Sequence, residues 1–391
     1  MRRLLVTLCA TAVLAARPSE AQTAAAVERA LLPLKPGVLA GLPDTFWGGL
    51  AFVRAEEDRQ RSLRADITFG LTGDETDSRS LFRLNTGIAL ARAAFPSEVT
   101  VVNRLALLLR DGEVQEDVTN LQISYDYHAG RHLEYFAFAE RFADNFLSIQ
   151  QRYEVGFGLR AGVTLGHVGP WQETEARFAA VARQLPAVAA AAAAVPAGVP
   201  PPVTPADLDR LTTTMGFLRD SFRERQARLF VGLATSVFAE VERAELDLLA
   251  TPLPGADGAA TRVKIPLPGT HRYRVSLRPT LRVRPTRDVL ITVLPYYKLP
   301  LDGPRRVLRD GERRLDYRRD LLTEMVWAIR QDQAGLENVD LVATLSHFYD
   351  NLPPALGPSA LADAAASGRG YTRTVADESH RFATISLRLR W

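Results

Sequence analysis

Few residues in this chain have the types and spacings that chemistry requires. Its six histidines are His128, His132, His167, His271, His347 and His380. None forms a helical or finger-type metal pair. His128 and His132 flank a short turn and read as rim residues rather than ligands. Ser346-His347 sets a nucleophile beside a base, but neighbours on a strand point to opposite faces and cannot form a dyad. The acidic run Gly73-Asp74-Glu75-Thr76-Asp77-Ser78 lacks the ligand spacing and closing glutamate of a calcium loop. It reads as a solvated loop. There is no phosphate-cradling glycine loop. The expectation is a protein without catalysis, cofactor or metal.

What the sequence does carry is charge at alternate positions. Arg152, Glu154 and Arg160 share a parity, as do Arg274, Arg278 and Arg282, then Asp320 and Glu324, then Arg388 and Arg390. Enclosed by a sheet, such residues either interlock as a polar core or line a water-filled passage. With arginine in excess, that passage favours anions. Both readings stand at this point, and Asp320 and Asp340 are the expected partners for the arginines of 273–284 and the two of the last strand.

The elements that must position these charges are strands. Tyr153, Val155, Phe157, Leu159, Ala161, Val163 and Leu165 fall on one face of their segment, opposite Arg152, Glu154, Gly156, Gly158 and Arg160. The same period of two runs through 62–72, 78–91, 97–110, 119–128, 132–142, 228–246, 273–284, 286–298, 311–330, 337–350 and 380–391. Many of these twelve segments are long enough to cross a bilayer at a tilt. Pro279 and Pro295 fall inside two of them and predict strand ends or bulges. The segment 44–55 fits the even strand number poorly and reads as a lead-in or an extension of the first hairpin.

Between the sixth and seventh segments, 167–227 changes period. Phe178, Val181, Leu185 and Val188 form one helical stripe, and Leu208, Leu211, Met215, Leu218 and Phe222 another. Thr204, Pro205 and Asp207 mark a helix start. The expectation is a helical hairpin in which each helix covers the other.

The 391 residues are 24% charged, with mean hydropathy near zero. That excludes a bundle of apolar spanning helices but not a barrel, whose two faces average out. Residues 1–21 read as a secretory signal: Arg2 and Arg3, an apolar run from Leu4 to Ala16, then Ser19-Glu20-Ala21. Cys9 lies within it, so no disulfide is expected beyond it. Of the formal +3 charge, +2 belongs to this segment. The remainder has no basic excess that would suit nucleic acid.

These features predict an all-β fold: an antiparallel transmembrane β-barrel of about twelve strands with an inserted α-helical hairpin. The domains are a signal peptide (1–21), a periplasmic lead-in (22–61) and an outer-membrane barrel (62–391) interrupted by the hairpin (167–227). With both ends periplasmic, Tyr125, Tyr127, Trp327 and Trp391 make one outward aromatic girdle. Tyr153, Tyr273, Tyr297, Tyr317 and Tyr349 make the other. Ile385, Leu387, Leu389 and Trp391 form an apolar terminal strand, read as the assembly signal and as the strand that closes the ring onto 62–72.

The chain also resembles the salt-induced outer-membrane protein family, barrels of unknown function. The resemblance rests on Thr76-Asp77-Ser78-Arg79-Ser80-Leu81, on Glu134-Tyr135-Phe136-Ala137-Phe138 with Arg152-Tyr153-Glu154-Val155-Gly156-Phe157-Gly158-Leu159, and on Tyr349-Asp350-Asn351 with Pro353-Pro354. The helical insertion and the terminal Trp391, where phenylalanine is more usual, depart from that pattern. The resemblance implies an outer-membrane location and no catalytic residues. The expected function is a structural or small-solute channel. An outer-membrane enzyme or receptor using the lumen or outer loops, and a soluble periplasmic β-protein, remain alternatives. Expected partners are outer-membrane lipid, the barrel-assembly machinery and a periplasmic partner for the hairpin.

Overall fold

The computed structural model describes residues 23–390 except 38, 77–78, 95, 111–112, 131–132, 146, 195–202, 253–258, 303–305, 310–311, 330–338, 352, 354, 357–360, 363–365, 367–368 and 372–378. The expected signal segment with Cys9, and also His132 and Trp391, lie outside the described residues.

Helices α1 (Thr23–Leu31) and α2 (Asp44–Arg61) precede the sheet. Six antiparallel strands follow: β1 (Arg64–Thr76), β2 (Arg79–Ala94), β3 (Ser97–Arg110), β4 (Glu113–Gly130), β5 (Leu133–Asp144) and β6 (Ile149–His167). Helices α3 (Trp171–Ala193) and α4 (Pro205–Arg225) interrupt them. The chain continues through β7 (Ala227–Pro252), β8 (Thr261–Pro266), β9 (Thr270–Val283) and β10 (Val289–Pro300). After these come β11 (Arg306–Arg309), β12 (Glu312–Leu315), β13 (Arg318–Ala328), β14 (Val339–Asp350), β15 (Arg369–Tyr371) and β16 (Ser379–Arg390). Strands β8 and β15 pair only with the overhanging end of β7, and β11 pairs only with β12.

The other twelve strands close on themselves. The ring runs β1 to β7, then β9, β10, β13, β14 and β16, and β16 pairs antiparallel with β1. The closing register is Asp66 to Arg390, Ile67 to Leu389, Thr68 to Arg388 and Phe69 to Leu387. Just beyond it, a Cβ on Gly70 would lie 2.5 Å from Ser386 Oγ and Ile385 O, so the seam tolerates no side chain there. Closure joins the first and last ring strands over these four pairs, so the ring has no free edge strand, which a sheet in lipid requires.

Helices α1 to α4 lie at the end where β1 begins and β16 stops, here the near end. The expected mutual cover of the hairpin helices is corrected by the structure. Phe178, Val181 and Val188 of α3 and Leu211, Met215 and Leu218 of α4 share one core with Ala24, Val27 and Leu31 of α1 and Phe46, Leu50 and Val53 of α2. Two stripes are too little apolar surface for a stable unit, and the lead-in supplies the rest. Segment 44–55 is therefore neither strand nor loop. Its Gly49 lets α2 approach α3 so closely that a Cβ would sit 2.7 Å from Arg177 O. Thr204 caps α4 as expected: its Oγ1 accepts from Asp207 N (3.2 Å), and Asp207 Oδ2 accepts from Thr204 N (3.0 Å).

The prolines also behave otherwise than expected. The register of β9 against β10 breaks between Val293–Leu281 and Tyr297–Leu277 and resumes unshifted, so Pro295 stands opposite Pro279. On their other sides they remain in register with Leu321 and Leu233. Neither ends a strand or makes a bulge. The donors they lack are lost across a single shared seam. The segment 311–330 also divides: 312–315 belongs to the far-end hairpin β11–β12, and the ring strand begins at Arg318.

The interior of the ring as candidate functional site

Alternation sends one face of each strand into the ring and the other outward. Gly156 and Gly158 stand inward on β6, and the space their missing side chains leave is filled by rings. A Cβ on Gly158 would meet Thr235 O and the Phe136 ring, and one on Gly156 would meet Phe238. Phe136, Phe138, Ala234 and Phe238 form a buried inner cluster.

Toward the far end this wall carries a buried network of charges. Arg152 Nε donates to Glu242 Oε2 (2.7 Å). Arg318 reaches Glu240 (2.6 Å), Asp350 (2.8 Å) and Glu242 (2.9 Å). Arg274 bonds Glu240 (3.0 Å) and Asp316 (3.2 Å). Lys298 Nζ donates to Glu154 (2.6 Å) and lies 3.5 Å from Asp320. Arg152, Glu154, Glu240, Arg274 and Lys298 are each at most 5% exposed. At such sites an unpaired ion costs several kcal/mol, so the pairing is a condition of folding.

The other expected lumen residues divide into local sets. Arg278 stacks on Tyr296 (3.8 Å to the ring centre) and Phe138 (4.7 Å) rather than on a carboxylate. Arg160 pairs with Glu134 (2.9 Å), Arg282 with Glu224 of α4 (2.5 Å), Arg388 with Glu324 (2.9 Å) and Arg390 with Asp340 (2.9 Å). Of the expected partners, Asp340 does take Arg390 of the last strand, while the neutralisation expected for the 273–284 arginines is corrected. Arg274 takes Glu240 and Asp316, and Arg282 takes a helix carboxylate, because strand tilt sets partners along diagonals that a linear reading does not supply. Sequence reasoning did not single out Lys298, Arg318 or Asp316, and it noted Asp350 only within a family patch. Lys298 has the inward parity of its strand, a signal that was available.

The near mouth is covered from within by α4. Phe217 packs edge-on against the inward His128 (4.8 Å). Asp220, Arg223 and Glu224 face Glu134, Arg160, Thr164 and Phe230 across a cavity of about 40 Å³, room for a few waters. Glu56 of α2 accepts from Arg59 (2.6 Å) and Arg225 (2.9 Å), tying α2 to the end of α4.

On the outside, apolar side chains stand open. Phe157 is 68% exposed, Ile385 59% and Leu387 50%. Tyr125, Tyr127 and Trp327 are exposed at the near rim, joined by Tyr135; Tyr273 and Tyr297 are exposed at the far rim. Leu389 faces outward in register with Ile67 and Val339. Ser346 is buried inside, while His347 is in register with Leu321 and Arg381 on the other face. Among the described residues no group of three His, Asp or Glu side chains is arranged to hold a metal ion. No described helix is long and apolar enough to cross a membrane.

No protein-family model matches the chain, and no curated protein matches it in sequence. Among solved structures it is similar to the NanC porin (5% identity, TM-score 0.33, covering 84% of this chain and 98% of that one). It is also similar to the KdgM porin (8%, 0.32, 83% and 98%) and to the translocator domain of the autotransporter NalP from Neisseria meningitidis (8%, 0.30, 87% and 94%). At these scores the likeness adds nothing to the ring closure itself. The class the structure defines is a closed twelve-strand antiparallel barrel with a helical bundle over one mouth.

Proposed function

We propose that this chain is a bacterial outer-membrane β-barrel that passes small solutes and catalyses nothing. The observation that carries the location is the exposed apolar band between two aromatic rims. On β6 it runs from Tyr153 to Leu165, a height of roughly 30 Å at the usual rise and tilt, which suits a hydrocarbon core. An apolar surface continuous around the molecule does not suit the soluble alternative. With both strand-bearing ends at the near side, that side faces the periplasm and the helical bundle lies there, with 1–21 as its export signal. The patches around Glu134–Phe138 and Arg152–Leu159, adjacent on β5 and β6, are the support for kinship with the salt-induced outer-membrane protein family.

The channel reading is tested by reconstituting the purified chain into planar bilayers. Discrete steps that scale with salt concentration are expected. A barrel that inserts, shows heat-modifiable migration and remains silent would refute the channel and leave a structural or loop-borne role. A chain that stays soluble without detergent would refute the membrane assignment.

A further inference from the structure

We infer that Arg104 is the anion-selecting residue of an off-centre aqueous passage along the β1–β3 and β16 wall. The inference deepens the channel reading and rests on it. The cross-strand registers place Arg388, Thr68, Gly87, Arg104 and Asn120 in one inward row. The residues between the two arginines are small. A Cβ on Gly87 would lie 3.6 Å from Thr68 Cβ and 3.9 Å from Arg104 Cγ, so the arginine stem lies over bare backbone. The facing wall is different. There the phenylalanine cluster, stacked Arg278 and the far-end ion network occupy the interior. At the level of this row, open space inside the ring therefore lies to one side; toward the far end it narrows, where Asn85 and Ser386 of the same wall are buried and Phe142 packs on Phe348 beside Val118 and Ala106.

The charges on this side leave Arg104 distinct. Arg388 is neutralised by Glu324, Arg390 by Asp340 and Arg64 by Glu98 (3.0 Å). Asp66 is in register with Arg390 rather than with Arg104. Glu140, on the neighbouring wall, accepts from Asn120 Nδ2. Arg104 has no carboxylate or hydrogen-bond partner among the described residues, and it is exposed although it points into the ring. An inward guanidinium without a counter-ion is tolerable only if water reaches it. In a confined passage with low-dielectric walls, one such charge raises the local concentration of small anions and repels cations.

The test is the reversal potential of single channels in a potassium chloride gradient. Wild type should prefer chloride. Arg104→Gln should lower the chloride-to-potassium permeability ratio about two- to threefold, and Arg104→Lys should keep it. Arg228→Gln, at the exposed near rim, should move it less. Heat-modifiable migration of each variant establishes that the ring has closed. A conducting wild type whose ratio Arg104→Gln leaves unchanged, or an Arg104→Lys variant that behaves like Arg104→Gln, overturns this inference alone. A silent wild type overturns the channel reading and this inference with it.

Discussion

Arg318 contacts three carboxylates, Glu240, Glu242 and Asp350, and is 6% exposed. Replacing it by methionine keeps much of the volume and leaves those carboxylates short of a counter-charge in a dry interior. The expected cost is about 3–5 kcal/mol, because removing one partner exposes the full desolvation penalty of the others. Arg160, whose side chain is 43% exposed beside Glu134, is the contrast: Arg160→Met should cost about 0–1 kcal/mol. Urea unfolding from lipid vesicles reads both midpoints, and equal shifts would refute the distinction between a cemented far half and a solvated near half. The inward parity of Arg152, Glu154, Arg274 and Asp320 was legible from alternation alone. The identity of their partners was not, since that depends on which strands meet and with what stagger.

At the scale of elements, the helical bundle is held partly by titratable groups. Burial pushes the pKa of Glu56 up, but hydrogen bonds from Arg59, Arg225 and Gln60 outweigh it and hold the carboxyl below the ordinary glutamate value of 4.5. A carboxylate depressed on folding contributes fully above its unfolded pKa, and the contribution is lost as pH falls through the lower folded value. The α2–α4 junction should therefore be unchanged from neutral pH to about 5 and loosen below about 4.5. Limited proteolysis of the bundle should show that acid onset in the wild type. In Glu56→Gln the bundle should be more readily cut at neutral pH, and the dependence on acid should be flattened. An unchanged pH profile in the variant would remove Glu56 as its source. Among the strands, the facing of Pro279 and Pro295 across one seam was invisible in sequence. Each proline seen singly signals an end or a bulge, and only the register shows that two defects coincide and cost one interruption.

For the whole molecule, the question is whether barrel and bundle need one another. His167 is in register with Ala227, so β6 and β7 meet where the insertion leaves the ring. A short turn can therefore replace the hairpin without opening the wall. Removing 168–226 alone would strip α1 and α2 of the partners covering Phe46, Leu50 and Val53, and that variant should aggregate or be degraded. Removing 23–61 as well should restore a heat-modifiable barrel. Its conductance should rise, because Phe217 and Glu224 no longer occupy the near mouth. Equal conductance in the intact and doubly deleted chains would show that the bundle does not obstruct the passage.

The sequence by itself determined the twelve strands, their outward and inward faces, the aromatic rims and the cap of α4, because a period of two and a capping motif are local properties. Ring closure was foreseeable from the apolar parity of Ile385, Leu387 and Leu389. Only the tertiary structure decided that 44–55 is a helix completing the bundle, that Lys298 and Arg318 anchor the ion network, and that Arg104, inward by alternation alone, has no partner among the described residues. Each of these depends on groups far apart in the chain meeting in space. Neither the period of a strand nor the stripe of a helix specifies what lies across from it.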